Sequence, residues 1–267
     1  MKKLCLDEIK KIEFGILLHF KEFCDKNNIT FYLSNGTLLG AVKYKGFIPW
    51  DDDVDVFVPR ADYDRLMELY ADTDKYQLFS TERTKHFGYP FAKLCDMTTI
   101  KAENGIANGT DLGLDIDIFP LDAWANNIDS AKREVKTIKK YMYLLYLAKS
   151  EKSASPDSIK HFIGSIVRIF CKLLGTDHFI KRINKLSKNQ SDNKSTYLGC
   201  KSWCIYGDRE IIPSEVFSDI SYVEFEGERL PAPIGYDTYL RSLYGDYRQD
   251  PPPEKQKTHH TFAAYLK

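Results

Sequence analysis

The sequence has no excess of charge of either sign, since 38 lysines and arginines balance 38 aspartates and glutamates. Bulk attraction to nucleic acid or membrane is therefore absent, and no nucleic-acid motif accompanies its one basic stretch, so no nucleic-acid partner is expected. No apolar run is long enough to span a bilayer. Met1 to Phe20 interleaves lysine and glutamate throughout, which is not the pattern of a secretory signal. Cysteine is scarce, with six scattered over 267 residues, and reads as reduced thiol rather than a disulfide framework. Internal repeats and low-complexity tracts are missing as well. What remains is 43% hydrophobic and 13% aromatic, enough to bury a core and to exclude a disordered or fibrous chain. The expectation is a globular protein of the cytoplasm.

The overall neutrality hides an asymmetry. Residues 51–130 hold 17 acidic and 7 basic side chains, a net of −10, while residues 131–190 hold 4 acidic and 14 basic, a net of +10. Two different surfaces are joined in one chain.

Ile9, Ile12, Ile16, Phe20 and Phe23 recur at helical spacing and predict an amphipathic helix ending near Asn27-Asn28. Ile29 to Leu33 reads as a short strand, and Ser34-Asn35-Gly36-Thr37 as a turn into a short helix from Thr37 to Tyr44. Asp53 to Val58 alternates acid and aliphatic side chains, the period of a strand, with Pro59 as its stop and a helix over Asp62 to Tyr70. Leu114 to Phe119 is a second alternating run, which Pro120 is expected to end; Tyr76 to Phe79 and Phe91 to Leu94 are weaker strands between them. From Ser130 the character turns helical, and Ile159, Phe162, Ile163, Ile166, Phe170, Leu173 and Leu174 make one apolar face ending at Gly175. Tyr222 to Leu230 reads as a hairpin around Gly227. The fold class is α/β (α+β): a core over residues 1–129, a basic helical insertion over 130–195, and a C-terminal segment, 196–267, that completes the site.

The chemistry concentrates in Pro49-Trp50-Asp51-Asp52-Asp53-Val54-Asp55-Val56. Carboxylates at i and i+2 on a strand share a face, and side by side they repel unless a cation neutralises them. Oxygen ligands of this kind suit Mg²⁺ or Mn²⁺, with substrate phosphates completing the shell. Asp51 shares that face if the strand starts early, and Asp52 then points away. Upstream, Asn35-Gly36-Thr37 sits at a helix start, where exposed N–H groups and the Thr37 hydroxyl can hold a phosphate and Gly36 permits close approach. Downstream, Asp115 and Asp117 share one face of the second acidic strand, between Leu114, Ile116 and Ile118. Two acidic strands and a Gly-Thr turn together indicate a metal-dependent phosphate-handling site.

The stretch Tyr32-Leu33-Ser34-Asn35-Gly36-Thr37-Leu38-Leu39-Gly40-Ala41-Val42, continued by Gly46-Phe47-Ile48-Pro49-Trp50 and the acidic run, closely resembles the LicD family of phosphotransferases. Asp115 to Asp122 looks like its second block; Gly235 to Leu240, Tyr244-Gly245-Asp246-Tyr247 and Pro251-Pro252 look like its C-terminal block. The resemblance implies a nucleotidyltransferase-like core related to fukutin-type enzymes. It further implies transfer of a phosphorylated group, most often phosphocholine from CDP-choline, to a hydroxyl of a cell-surface glycan (teichoic acid, lipopolysaccharide or capsule). On that analogy Asp53 and Asp55 bind the metal, and Asp117 is the third carboxylate, binding a second metal or accepting the proton of the attacking hydroxyl; Asp115 is a further metal candidate ranked below Asp117, because the family usually has an aliphatic or variable residue there. Lys93, in Phe91-Ala92-Lys93-Leu94, matches a position that could contact a donor phosphate, a solvated strand lysine being the other reading. Lys43-Tyr44 stands where the family has Arg-His, so a point charge replaces a bidentate fork and the histidine's place is filled by tyrosine.

Trp50, beside the acids, is the aromatic candidate for cation–π contact with choline. Cys200-x-x-x-Cys204 lacks the second ligand pair that zinc needs. His259-His260 is read as surface or acceptor-facing, and Asp246 and Tyr247 as turn and packing residues or catalytic ones. The basic stretch 131–188 is either a solvated cap or a peripheral contact with anionic lipid at the inner face of the cell membrane. Competing functions are a nucleotidyltransferase releasing pyrophosphate, a glycosyltransferase using D-x-D, and a degenerate glycan- or nucleotide-binding protein.

Overall fold

A computed structural model describes residues 1–103, 112–150, 159–188, 195–258 and 262–267. In chain order its elements are β1 (Lys2–Lys3), α1 (Leu6–Asn27), β2 (Tyr32–Leu33), α2 (Asn35–Tyr44), β3 (Asp55–Pro59), α3 (Arg60–Leu69), β4 (Tyr76–Phe79), β5 (Ala92–Asp96), β6 (Thr99–Glu103) and β7 (Leu114–Ala123). There follow α4 (Ile128–Lys149), α5 (Ile159–Leu174), α6 (Thr176–Ser187), β8 (Tyr197–Gly199), β9 (Ile212–Pro213), β10 (Ile220–Phe225), β11 (Glu228–Pro233), α7 (Tyr236–Tyr244) and β12 (Phe262–Leu266).

The main sheet runs β2-β3-β7-β5-β4, with β8 and β9 continuing from the far end of β7. Only β3 and β7, the two acidic strands, lie parallel; the other pairs in this sheet are antiparallel. A second sheet, β1-β12-β6, joins the two ends of the described chain, and β10-β11 is the hairpin expected around Gly227, whose φ is +82°. The aliphatic set Leu114, Ile116 and Ile118 shares one face of the sheet with Val54 and Val56, and all five are fully buried; α1 packs on β7 and β5, and α3 on β3 and β7.

Helices α2 and α3 start two residues earlier than the sequence reading has them, and β2 is shorter; two further differences bear on the site. Strand β3 starts at Asp55 rather than Asp53, leaving Asp51 to Asp53 in the approach to the strand. Pro120 does not end β7, which continues to Ala123. The Asp117 N–H donates toward β3, to the Val54 carbonyl at 2.8 Å, so the even-numbered residues turn their nitrogens toward β5. Pairing with β5 stops at Ile118, so a missing N–H at Pro120 disrupts no ladder bond there.

Buried residues form two clusters. The larger surrounds the main sheet; the smaller packs Trp124, Val135, Ile138, Phe179, Ile180 and Ile183 between α4, α6 and the 197–211 stretch. No helix among the described residues is long and apolar enough to cross a membrane.

Candidate active site

Strand register assembles the centre of the site. Asp55 on β3 is the cross-strand partner of Asp117 on β7, and Asp117 is in turn the partner of Lys93 on β5. Three candidate side chains thus stand in one row across three neighbouring strands, about 5 Å apart at each step. Asp53 lies two residues before Asp55, in the approach to β3.

The N-terminus of α2 is tied to the start of β3. Ser34 N–H donates to the Asp55 carbonyl at 3.0 Å, and Asp55 N–H donates to Thr37 Oγ1 at 2.8 Å. Thr37 is buried, and its hydroxyl oxygen serves this junction while its proton can be given elsewhere. Gly36 is needed for a close approach: a Cβ there would stand 2.8 Å from Asp51 Oδ2. The carboxylate of Asp51 therefore lies against the helix start, the kind of position that favours negative charge. Asn35, with φ of +44°, is gripped by the Tyr239 hydroxyl, which accepts from its N–H at 3.2 Å and donates to its Oδ1 at 2.8 Å. The Asn35 side chain also hydrogen-bonds Asp55.

Four charges alternate in sign from Asp117 outward, with Lys93 and Asp115 buried between the half-buried Asp117 and Lys101. Lys93 bonds Asp117 and reaches Asp115 Oδ2 at 2.6 Å, and Lys101 of β6 holds Asp115 Oδ1 at 2.5 Å. Lys93 is 3% exposed and lies over the rings of Tyr89 and Phe91. It is a buried bridge between two carboxylates, not a solvated strand lysine. Both oxygens of Asp115 are occupied by ammoniums, which makes it an anchor for lysines rather than an open ligand. Burial alone would raise its pKa, but Lys101 and Lys93 outweigh burial and hold it at about 2. Asp117 has one shared ammonium, so burial prevails and lifts it to about 6. Asp55 is pushed well above the usual carboxylate range by burial, then by the nearby Asp53, Asp117 and Asp51.

Beneath this cluster lies a residue the sequence reading missed. Glu13, on the buried face of α1, is fully enclosed, and neither carboxyl oxygen has a hydrogen-bond partner among the described residues. Burial drives its pKa well above the ordinary value, with Lys101 pulling the other way and Asp115, Asp53 and Asp52 adding to the rise. The available signal was a glutamate four residues after Ile9 and three before Ile16, on the apolar face of the helix.

The C-terminal block closes over the acids. Thr258 Oγ1 donates to Asp52 Oδ1 at 2.7 Å, so Asp52 is covered rather than solvated. Lys43 Nζ pairs with Asp250 Oδ1 at 2.6 Å and donates to the Tyr247 carbonyl at 3.2 Å. Tyr44 bonds the same Asp250 and meets Trp50 edge to face, with centroids 6.2 Å apart. Asp246 accepts from Gln249 within its own turn, and the Tyr247 hydroxyl donates to Asp237 at 2.7 Å. His259 and His260 lie outside the described residues. Cys200 and Cys204 are buried and their thiols are pushed up, Cys204 to about 12, the reverse of what a thiolate ligand requires.

Among the described residues, no three acids, histidines or cysteines converge as a closed metal cage. The donor set nevertheless fits a magnesium-type ion, which is commonly held by one or two carboxylates plus substrate phosphates. Asp53 and Asp55 supply such a pair, and the crowding that raises Asp55 is the strain a cation relieves.

The chain is similar in sequence to known proteins. Residues 28–145 match the family described as LicD/FKTN/FKRP, nucleotidyltransferase domain. Over 278 aligned positions covering 100% of both chains, the protein is 31% identical to the lipopolysaccharide cholinephosphotransferase LicD of Haemophilus influenzae. A shorter likeness, 44% over 48 residues and 18% of each chain, links it to an uncharacterized protein of Rickettsia prowazekii. Another, 36% over 63 residues, covers 23% of this chain and 20% of an uncharacterized Rickettsia typhi protein. With a full-length relative and the matched nucleotidyltransferase domain both lying over the acidic strands, the chain belongs to the LicD family of enzymes.

Proposed function

We propose that the protein transfers phosphocholine from a CDP-linked donor, CDP-choline, to a hydroxyl of a cell-surface glycan such as lipopolysaccharide, releasing CMP. The row of Asp55, Asp117 and Lys93, with Asp53 beside it, carries the reading; the full-length likeness to a cholinephosphotransferase supports the choice of donor. Mg²⁺ or Mn²⁺ held by Asp53 and Asp55 would supply neutralisation of the donor's diphosphate.

The acceptor hydroxyl oxygen bonds to the choline-bearing phosphorus as the bond from that phosphorus to the bridging oxygen breaks, and CMP leaves with that oxygen and the bond's electron pair. Asp117 takes the hydroxyl proton; its value of about 6 keeps it ionised at neutral pH and basic enough to accept. Lys93 keeps Asp117 ionised and sets a fixed positive charge beside the transferring phosphoryl group. Asp115 holds Lys93 in that position and is not assigned to the metal. Gly36 and Thr37 shape the helix start that faces the donor. Trp50, together with Tyr44, offers ring faces to the quaternary ammonium, and Lys43 reaches a phosphate when Asp250 releases it.

The test combines purified protein, Mg²⁺ or Mn²⁺, CDP-choline or other CDP-linked donors, and a crude surface-glycan acceptor, with CMP as the readout. CMP should appear only with metal and fall roughly a thousandfold in Asp53→Asn and Asp55→Asn, matching the several kcal/mol such a cation provides. Circular dichroism should show both variants folded. Substantial turnover in Asp55→Asn refutes the assignment of the acids. Pyrophosphate release from a nucleoside triphosphate, with no CMP from any CDP donor, replaces the reading with a nucleotidyltransferase.

A further inference from the structure

Helix α5 is turned the wrong way for a core helix. Among its described side chains, Cys171 alone is fully buried, with Ser165 and Arg168 half-buried on the same side. Ile166, Ile169, Phe170, Leu173 and Leu174 point outward, Phe170 at 64% exposure and Leu173 at 79%. Ile159, Phe162 and Ile163, the rest of the apolar face seen in the sequence, lie outside the described side chains. From Ser165 to Leu174 the helix turns Ser165, Arg168 and Cys171 inward and leaves its aliphatic and aromatic side chains open, and α5 packs on α4 and α6; an exposed apolar strip of this kind calls for a covering surface.

The flanking charges indicate which surface. Residues 131–190 carry 14 basic side chains against 4 acidic. Lys136 and Lys140 on α4, Lys172 on α5, and Lys181, Arg182 and Lys185 on α6 are exposed. Tyr143 and Tyr146 on α4 are exposed too, at 60% and 62%, a residue type that favours the headgroup level of a bilayer. An outward apolar helix within a cationic surround has the composition of an interfacial membrane anchor. A protein partner or a second copy would meet the apolar face but gives no reason for the excess of ten positive charges in residues 131–190.

We propose that α5 seats the protein on the surface of an anionic phospholipid bilayer, its outward apolar side chains entering the headgroup boundary and the α4 and α6 cations pairing with lipid phosphates. A chain held there meets a lipid-anchored acceptor by lateral diffusion. The inference does not depend on the proposed reaction, and its test uses no donor or acceptor.

The experiment is sedimentation of the full chain with vesicles of phosphatidylcholine alone, or of equal parts phosphatidylcholine and phosphatidylglycerol, at low and high salt. Binding is expected to the anionic vesicles at low salt, weakened by high salt. It should fall at least about tenfold in Phe170→Asp/Leu173→Asp, and several-fold in Lys181→Glu/Lys185→Glu. These positions are exposed, so unchanged circular dichroism will confirm that the variants fold. No binding to anionic vesicles overturns the proposal, as does binding unaffected by Phe170→Asp/Leu173→Asp. Light scattering that shows a dimer dissociated by that variant, with no vesicle binding, assigns the face to a second copy instead.

Discussion

Asparagine at position 115 separates an anchoring role from a metal-binding one. Asp115 has a side chain 1% exposed and holds two ammoniums, Lys93 at 2.6 Å and Lys101 at 2.5 Å. Asp115→Asn leaves both lysines buried with Asp117 as the remaining carboxylate in contact with either. Breaking a buried pair from one side costs about 3–5 kcal/mol, a large part of the roughly 5–15 kcal/mol available to a folded chain. The urea midpoint should fall by about 1 M or more. Adding Lys101→Met removes one orphaned ammonium, and the double variant should lose about 2 kcal/mol less than the sum of the two single changes. Mg²⁺ at a hundred times its dissociation constant should still stabilise Asp115→Asn by about 2.7 kcal/mol, as for a folded chain with an intact site. A loss in Asp115→Asn below about 1 kcal/mol refutes the anchoring argument, and disappearance of the Mg²⁺ response returns Asp115 to the ligand set.

Glu210, buried behind Trp124, is raised from the ordinary 4.5 to about 8 by burial, against hydrogen bonds from the Tyr206 and Cys200 backbones and the charge of Lys139. Its stabilising contribution is full below pH 4.5 and is lost as pH rises to about 8. Glu210→Gln should therefore be less pH-sensitive, gaining on the native chain by a few kcal/mol between pH 5 and pH 8.5 in urea melts, and parallel curves would contradict this. Gly40→Ala would place a Cβ 2.4 Å from the Gly46 carbonyl oxygen and 3.1 Å from the Ile48 nitrogen, both backbone atoms. Overpacking of this kind costs about 1–3 kcal/mol, more than the helix-propensity gain of about 1 kcal/mol. Calorimetry should show a lower melting temperature, together with reduced CMP formation as the 46–50 loop shifts; an unchanged or higher value would be contrary.

Much of the site was legible because its signals are local. Alternation marked β3 and β7 as strands and set Asp55 and Asp117 among buried aliphatics, while Asn35-Gly36-Thr37 announced a helix start. Those patterns depend on side-chain period and turn chemistry within a few residues of chain. Even the misplaced strand end at Pro120 was a local inference, defeated by where a neighbouring strand happens to stop.

Tertiary structure decided the partners. Asp115 and Asp117 look alike in sequence, two residues apart on one face. Their characters diverge because Asp115 meets both Lys93, 22 positions away, and Lys101, 14 positions away, while Asp117 shares only the first. Lys43 and Asp52 are claimed by Asp250 and Thr258 from the C-terminal block, and Glu13 is sealed beneath the acids by helix packing. The apolar stripe of α5 was plain in the sequence, but whether it faced a core or the outside depended on how α4 and α6 receive it. Period places a side chain on a face; strand register and helix packing determine which charges share that face, and only this proximity lowers the pKa of one carboxylate while that of its neighbour rises.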